Sequence, residues 1–172
     1  THPHEDHIGS LDSVLETVSV DTVMLPNVTA NTQTFRDVLN VIDEKGLSIT
    51  IPEVGDTYTL GDASFTILGP VSDYGDDLNN WSIALKLTYG NVSFLFTGDA
   101  ESTAESDMLN TGLYLGADVY QVGHHGSRTS SSSAFLDAVA PKYAVISCGV
   151  GNDYGHPHQE TLDALSSRGI EI

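Results

Sequence analysis

Short apolar runs broken by glycine, proline and polar clusters alternate with stretches in which apolar residues recur every three or four positions. The segment from Gly9 to Val18 places Leu11, Val14, Leu15 and Val18 on one helical face. "VDTVMLP" predicts a strand stopped by Pro26, and "TFRDVLNVIDEKG" an amphipathic helix closed by Gly46. "LSITIP", "TYTLGD" and "ASFTILGP" predict strands, the last two joined through a tight turn at Gly61-Asp62. "WSIALKLTYGNVSFLFTGD" is the clearest hairpin, two apolar arms flanking Tyr89-Gly90-Asn91. A helix from Thr103 to Leu109, the strand "ADVYQVG", a Ser-rich turn and a helix from Ser133 to Val139 follow. "YAVIS", a helix after Pro157 and a final "IEI" complete the pattern. Hairpins in the middle with βα units around them predict a mixed α/β layered domain, with no internal repeat and no linker.

Composition narrows the function classes. A chain of 172 residues with 40% apolar content can bury a core. No stretch within it approaches the roughly 20 apolar residues that span a bilayer, and it contains no secretory signal. Cys148 is the only cysteine, so a disulfide within the chain and a Cys-rich zinc site are both excluded. Six Lys and Arg against 24 Asp and Glu give a net charge of −18. That balance repels nucleic acid and anionic membranes at long range and leaves no basic nucleic-acid-binding face. A small metal-centred phosphate site stays open, because bound divalent cations can be the largest charges in a site. Scarce lysine with abundant Ser, Thr, Asn and Asp resembles surface-exposed bacterial proteins, which favours an extracytoplasmic or secreted setting over a cytoplasmic one.

The candidate chemistry lies at strand ends. "THPHEDHIGS" puts His2 and His4 two apart, on one side of an extended segment, where they can share an ion. A turn at Glu5 can then aim Asp6 and His7 at a second ion. The plain alternative, a polar loop leading into a helix, does not account for four ligand-type residues in six positions. Asp99 ends the apolar strand "FLFTGDA". Alone, Gly-Asp after a strand is an ordinary turn; in this company the carboxylate can bridge two cations. "QVGHHGSRTS" carries His124 and His125 directly after a strand, and "GNDYGHPHQE" carries His156 and His158 in a Gly-rich loop after another. One histidine of the first pair can bind metal while the other donates a proton or hydrogen bond to substrate.

His2-Pro-His4-Glu-Asp6-His7 is the His-x-His-x-Asp-His motif, and through it the chain resembles the metallo-β-lactamase superfamily. "NNWSIALKLTYGNVSFLFTGDAE", "GHHGSRTS" and "GHPH" resemble, more narrowly, the hydrolase domain of the ComEC-type DNA-uptake competence proteins. The resemblance spans almost the whole chain and implies a metallo-β-lactamase-like four-layer αββα sandwich. In that family a strand hairpin precedes the metal loop and a further strand follows the last helix. The expectation is therefore one partial domain over residues 1–172, lacking its N-terminal strands and cut at both ends.

The resemblance also implies roles. His2 and His4 would hold one metal, Asp6 and His7 the other, with Asp99 bridging. His124 is favoured to complete the second site, with His125 and His156 as rivals. Asp6, His125 and His156 are the expected catalytic groups, and Asn79, Ser127 and His158 the expected substrate contacts. Most superfamily members supply a third histidine to the first metal; this chain has none between His7 and His124, so Asn79 or Asn80 would stand in. An amide oxygen is a harder ligand than imidazole, so Mn²⁺ competes better with Zn²⁺ there, and the missing histidine argues against a β-lactamase proper. The implied cofactors are two divalent ions, Zn²⁺ or Mn²⁺. The implied reaction is two-metal hydrolysis of a phosphodiester, single-stranded DNA among the substrates, with membrane-channel segments in the full-length protein. Two alternatives stay open: a cell-wall or small-molecule phosphoester hydrolase of choline-phosphate-esterase type, and a non-catalytic module with a vestigial site.

Overall fold

The computed structural model describes residues 1–172. Helices α1 (Glu5–Ile8) and α2 (Leu11–Thr17) lead to strand β1 (Val23–Met24), helix α3 (Gln33–Glu44) and strand β2 (Ile49–Thr50). Strands β3 (Thr57–Leu60), β4 (Ala63–Gly69), β5 (Ala84–Tyr89) and β6 (Val92–Phe96) form a meander. Helix α4 (Ser102–Asn110), strand β7 (Val119–Gln121), helix α5 (Ser133–Val139), strand β8 (Tyr143–Val145) and helix α6 (Gln159–Ser166) follow.

Six strands form one sheet in the order β3-β4-β5-β6-β7-β8. β3 to β6 are antiparallel, and β6, β7 and β8 are parallel. The two hairpin turns follow the sequence: Leu60 pairs Ala63 across Gly61-Asp62, and Tyr89 pairs Val92 across Gly90-Asn91. Ala84, Leu95, Tyr120 and Ala144 point to one side and pack with Met108, Phe135, Leu136 and Leu165 of α4, α5 and α6 in the larger core. The Leu, Met and Phe side chains among them contribute about 1.5–3 kcal/mol each when fully buried. A second core joins Ile8, Leu15, Val23, Phe35, Val38, Val41 and Ile42 from α1, α2, β1 and α3.

Three expectations change. "VDTVMLP" and "LSITIP" give strands of two residues each, paired in parallel as a separate two-stranded sheet. α2 turns only Leu15 fully inward, while Val14 and Val18 are about half exposed, because the helix stops at Thr17 after two turns against α3. "IEI" makes one isolated bridge, Tyr143 to Glu171, instead of a strand.

The topology concentrates loops at one edge. Parallel β6, β7 and β8 all release their chain at their C-terminal ends, where ligands collect in α/β sheets. β5 runs antiparallel to β6, so the 3-10 turn Leu78–Trp81 that feeds β5 arrives at the same edge. The N-terminal segment is pinned there too: Ile83 N donates to Thr1 O at 3.0 Å, and the Thr1 amino group donates to Ile83 O at 3.0 Å.

Candidate metal centre

Asp99 is the centre of the site. It is 3% exposed and follows Gly98, whose φ of +55° turns the chain sharply off β6. A Cβ at position 98 would lie 2.7 Å from Ser82 Oγ, so only glycine fits there. The same Ser82 Oγ accepts from Asp99 N at 2.9 Å and lies 3.1 Å from His2 Nδ1, locking the carboxylate and the first histidine to one hydroxyl.

The two Asp99 oxygens face different groups. Oδ1 lies 3.1 Å from His7 Nε2 and 3.6 Å from His125 Nε2. Asp6 Oδ2 stands 3.1 Å from the same His125 nitrogen and 3.6 Å from His7 Nε2. Asp6, His7, Asp99 and His125 bring their ligand atoms within 4.8 Å of one another, a geometry able to hold a metal ion. Oδ2 instead faces His2 Nε2 at 3.8 Å and His124 Nε2 at 3.9 Å. His4 joins that side, its Nδ1 only 2.7 Å from His2 Nε2. His124, the residue favoured in sequence for the group around Asp6 and His7, thus stands across Asp99 from it, and His125 lies within it.

Backbone strain produces that split. His124 and His125 are consecutive non-glycine residues with φ of +48° and +55°. Left-handed backbone costs roughly 1–2 kcal/mol per residue, and the surroundings hold it: His124 N donates to Gly98 O at 3.0 Å, and Ser127 N donates to His124 O at 2.8 Å. Strain held in this way marks functional sites. Gly126 (φ +84°) completes the turn where a Cβ would meet Pro157 at 2.7 Å.

Neighbours fix which ring nitrogen is free. His125 Nδ1 lies 2.8 Å from Ser147 O, which can only accept, so Nε2 keeps its lone pair toward Asp6 and Asp99. His124 Nδ1 lies 3.1 Å from Glu101 Oε1, so its Nε2 is likewise free. Glu101 Oε1 also accepts from Asn79 Nδ2 at 3.3 Å, which turns the Asn79 carbonyl oxygen inward. Asn79 Oδ1 is buried without a hydrogen-bond partner, and the buried His7 Nε2 has only carboxylate oxygens beside it. An orphaned buried acceptor such as the Asn79 oxygen is costly unless something binds it, and imidazole, carboxylate and amide oxygen together suit a divalent cation.

Electrostatics agrees. Burial, helped by the nearby His7, lowers the His2 pKa to about 3, which keeps the ring neutral and able to donate a lone pair. Burial alone would raise Asp99, yet contact with His7, then His125 and His2, holds it below the usual carboxylate range. His156 is lowered by burial first and by His124, His158 and His125 next.

The site opens to a cleft of about 530 Å³ whose lining includes His4, Asp6, Asn79, Asp99, His125 and His156. Of the expected substrate contacts, Ser127 and His158 do not line it. Ser127 is 3% exposed with its hydroxyl 2.9 Å from Thr129 Oγ1, and His158 Nδ1 accepts from Arg128 N at 3.1 Å. Asn80 is buried, accepting from Glu101 N at 2.8 Å and donating to Asp77 at 2.6 Å, so of the two asparagines Asn79 alone faces the cleft. Sequence reasoning missed Ser82, Glu101 and Tyr154. Only Glu101 carried a signal, a carboxylate two residues beyond Asp99 in the same loop.

Known proteins give this geometry a family. The chain is 34% identical over its whole length to ComE operon protein 3 of Bacillus subtilis and 38% identical over 63% of its length to competence protein ComA of Neisseria gonorrhoeae. It spans 22% and 16% of those relatives, about a fifth of their length. Among solved structures, CmlA, a diiron β-hydroxylase from Streptomyces venezuelae, superposes with a TM-score of 0.66 at 16% identity, over 98% of this chain and 41% of that one, a likeness of fold alone. The family model of the metallo-β-lactamase superfamily matches residues 1–150, and the chain belongs to that superfamily.

Proposed function

We propose that this chain is a binuclear metal-dependent phosphodiesterase of the competence-protein type, acting on DNA. The observation that carries this reading is the division of Asp99, with Oδ1 toward Asp6, His7 and His125 and Oδ2 toward His2 and His124. In this reading His2 Nε2, His4 Nδ1, Asn79 Oδ1 and His124 Nε2 hold one divalent ion, and Asp6, His7 and His125 hold the other. Two such ions supply an activated water and the positive charge that a phosphoryl transition state requires.

The chain's own residues do the rest. Glu101 and the Ser147 carbonyl keep the ligand nitrogens in the right tautomer, as partners behind metal ligands do. In this reading His156, on the cleft wall and outside the ligand groups, serves as a hydrogen-bond donor to the substrate phosphate. The relatives' association with competence supports DNA as substrate. The Asn79 oxygen in place of an imidazole favours Mn²⁺ more than an all-histidine site would.

The test is to strip the protein of metal, reload it with Zn²⁺ or Mn²⁺, and offer single-stranded DNA alongside bis-nitrophenyl phosphate. Metal-dependent DNA cleavage is the expected result. Turnover of the small ester alone points to a cell-wall or small-molecule phosphoester, and no turnover with either ion refutes the enzymatic reading.

A further inference from the structure

The cleft that would receive a nucleic acid contains neither Lys nor Arg. Counter-ion release by basic side chains, the usual source of affinity for a phosphate backbone, is therefore absent from its walls. Its one large uncharged aromatic is Tyr154, 78% exposed. Tyr154 stacks on His156 with ring centroids 5.6 Å apart and planes 22° apart, and His156 in turn stacks on His125 at 6.3 Å and 22°. A row of three near-parallel rings thus runs from the Asp6–Asp99 group out along the cleft wall.

The outermost ring is held rather than loose. Asn152 Oδ1 accepts from Tyr154 N at 3.2 Å and His156 N at 2.9 Å. Its Nδ2 donates to Gly149 O at 2.8 Å and His156 O at 2.7 Å. One side chain thereby closes the loop from Gly149 to His156 on itself. Tyr114, equally exposed, offers a contrast: it lies beneath Lys86 Nζ, 4.1 Å from the ring centre, and lines a different surface.

We infer that Tyr154 is a stacking platform for a planar base of the substrate, so that the site takes a base-bearing phosphodiester with one nucleobase on Tyr154 and the adjoining phosphate at the metal centre. This rests on the phosphodiesterase reading above. Stacking needs no positive charge and tolerates every base, which suits an acidic protein that accepts mixed sequence.

The experiment measures fluorescence anisotropy of two labelled 12-mers on the metal-loaded full chain. One is an oligothymidylate and the other its abasic counterpart, both phosphorothioate-linked to slow hydrolysis. Base–aromatic stacking predicts that the oligothymidylate binds about 5- to 140-fold tighter than the abasic strand. Tyr154→Ala should abolish that preference while leaving abasic binding unchanged, and Tyr154→Phe should retain it. Equal binding of the two strands by the unsubstituted protein overturns the inference, and so does a preference that survives Tyr154→Ala. Cleavage of unmodified oligothymidylate is scored separately. A Tyr154-dependent preference without cleavage under Zn²⁺ or Mn²⁺ would leave the platform standing and remove the phosphodiesterase reading.

Discussion

Glu101→Gln isolates one charge behind the metal centre. Glu101 Oε1 gathers His124 Nδ1 at 3.1 Å, Asn79 Nδ2 at 3.3 Å and Thr129 Oγ1 at 3.0 Å, and the first two aim ligand atoms into the site. Glutamine keeps one acceptor oxygen and the side-chain volume but loses the charge. Bonds to charged groups are worth about 1.5–3 kcal/mol against about 0.5–1.5 for neutral ones, so two such bonds lose about 2 kcal/mol. With the carboxylate 26% exposed, solvent takes back part of this. The expected loss of affinity is about 10- to 30-fold, for the ion held by His2, His4, Asn79 and His124 only. The backbone should not move, because Glu101 N is anchored separately to Asn80 Oδ1 at 2.8 Å. Titration of the metal-stripped protein against a chromophoric chelator resolves the two ions, with far-UV circular dichroism as the control for folding. Both ions binding within twofold of the unsubstituted protein, or both weakening equally, would refute the reasoning.

Three further outcomes are expected. Asp99→Asn exchanges one of the two bridging oxygens for an NH2 group and removes the negative charge both sides share, so stoichiometry of tight metal binding should fall below two and hydrolysis should cease with circular dichroism unchanged; retained turnover contradicts the bridging role. Gly98→Ala forces a side chain onto φ +55° and against Ser82 Oγ at 2.7 Å. At about 1–2 kcal/mol and about 2–4 °C per kcal/mol, the melting temperature should drop by at least about 2–8 °C, and an unchanged melt contradicts the packing argument. Glu105, fully buried, is pushed above its ordinary 4.5 by burial, against the bonds it accepts from Ser131 and Ser132. A raised carboxyl pKa means that its stabilising contribution is complete below 4.5 and declines as pH rises through the folded value. Denaturant midpoints followed from pH 4.5 upward should therefore fall more steeply for the unsubstituted protein than for Glu105→Gln, and parallel curves would contradict the assignment.

What could be read from sequence was local. His2-Pro-His4-Glu-Asp6-His7 declares itself because its ligands are close along the chain, and the β5–β6 hairpin because both arms and the turn are contiguous. The partners of those ligands were not legible. Ser82 reaches His2 across 80 residues, and His125 reaches Asp6 across 119. Which histidine of the adjacent pair faces which Asp99 oxygen depends on two left-handed backbone angles, and no periodicity reports those. Ser127 was singled out only by its position after the histidine pair; the turn that carries His124 and His125 folds it underneath. Val14 and Val18 matched a helical face, but a two-turn helix packed on α3 has room to bury little beyond Leu15.

On the phosphodiesterase proposal, the net charge of −18 and an anionic substrate are reconciled by where the charges lie. At the centre His2 is held neutral by its burial. Asp6 and Asp99 are the only carboxylates in the ligand set, so two dications would leave the centre net positive inside a negative envelope. Such a field acts over a few ångströms and does nothing to steer a polyanion from a distance. Association should therefore be slow and should quicken as salt screens the repulsion, opposite to a basic nuclease, and in this proposal the affinity comes from inner contacts: the ions on the phosphate and Tyr154 on the base. Glu101 acts from behind the ligands, since its carboxylate is spent on Asn79, His124 and Thr129 and does not line up with a substrate of its own. In that proposal the acidic surface sets how often a strand arrives, and the row of rings and ligands sets whether it stays.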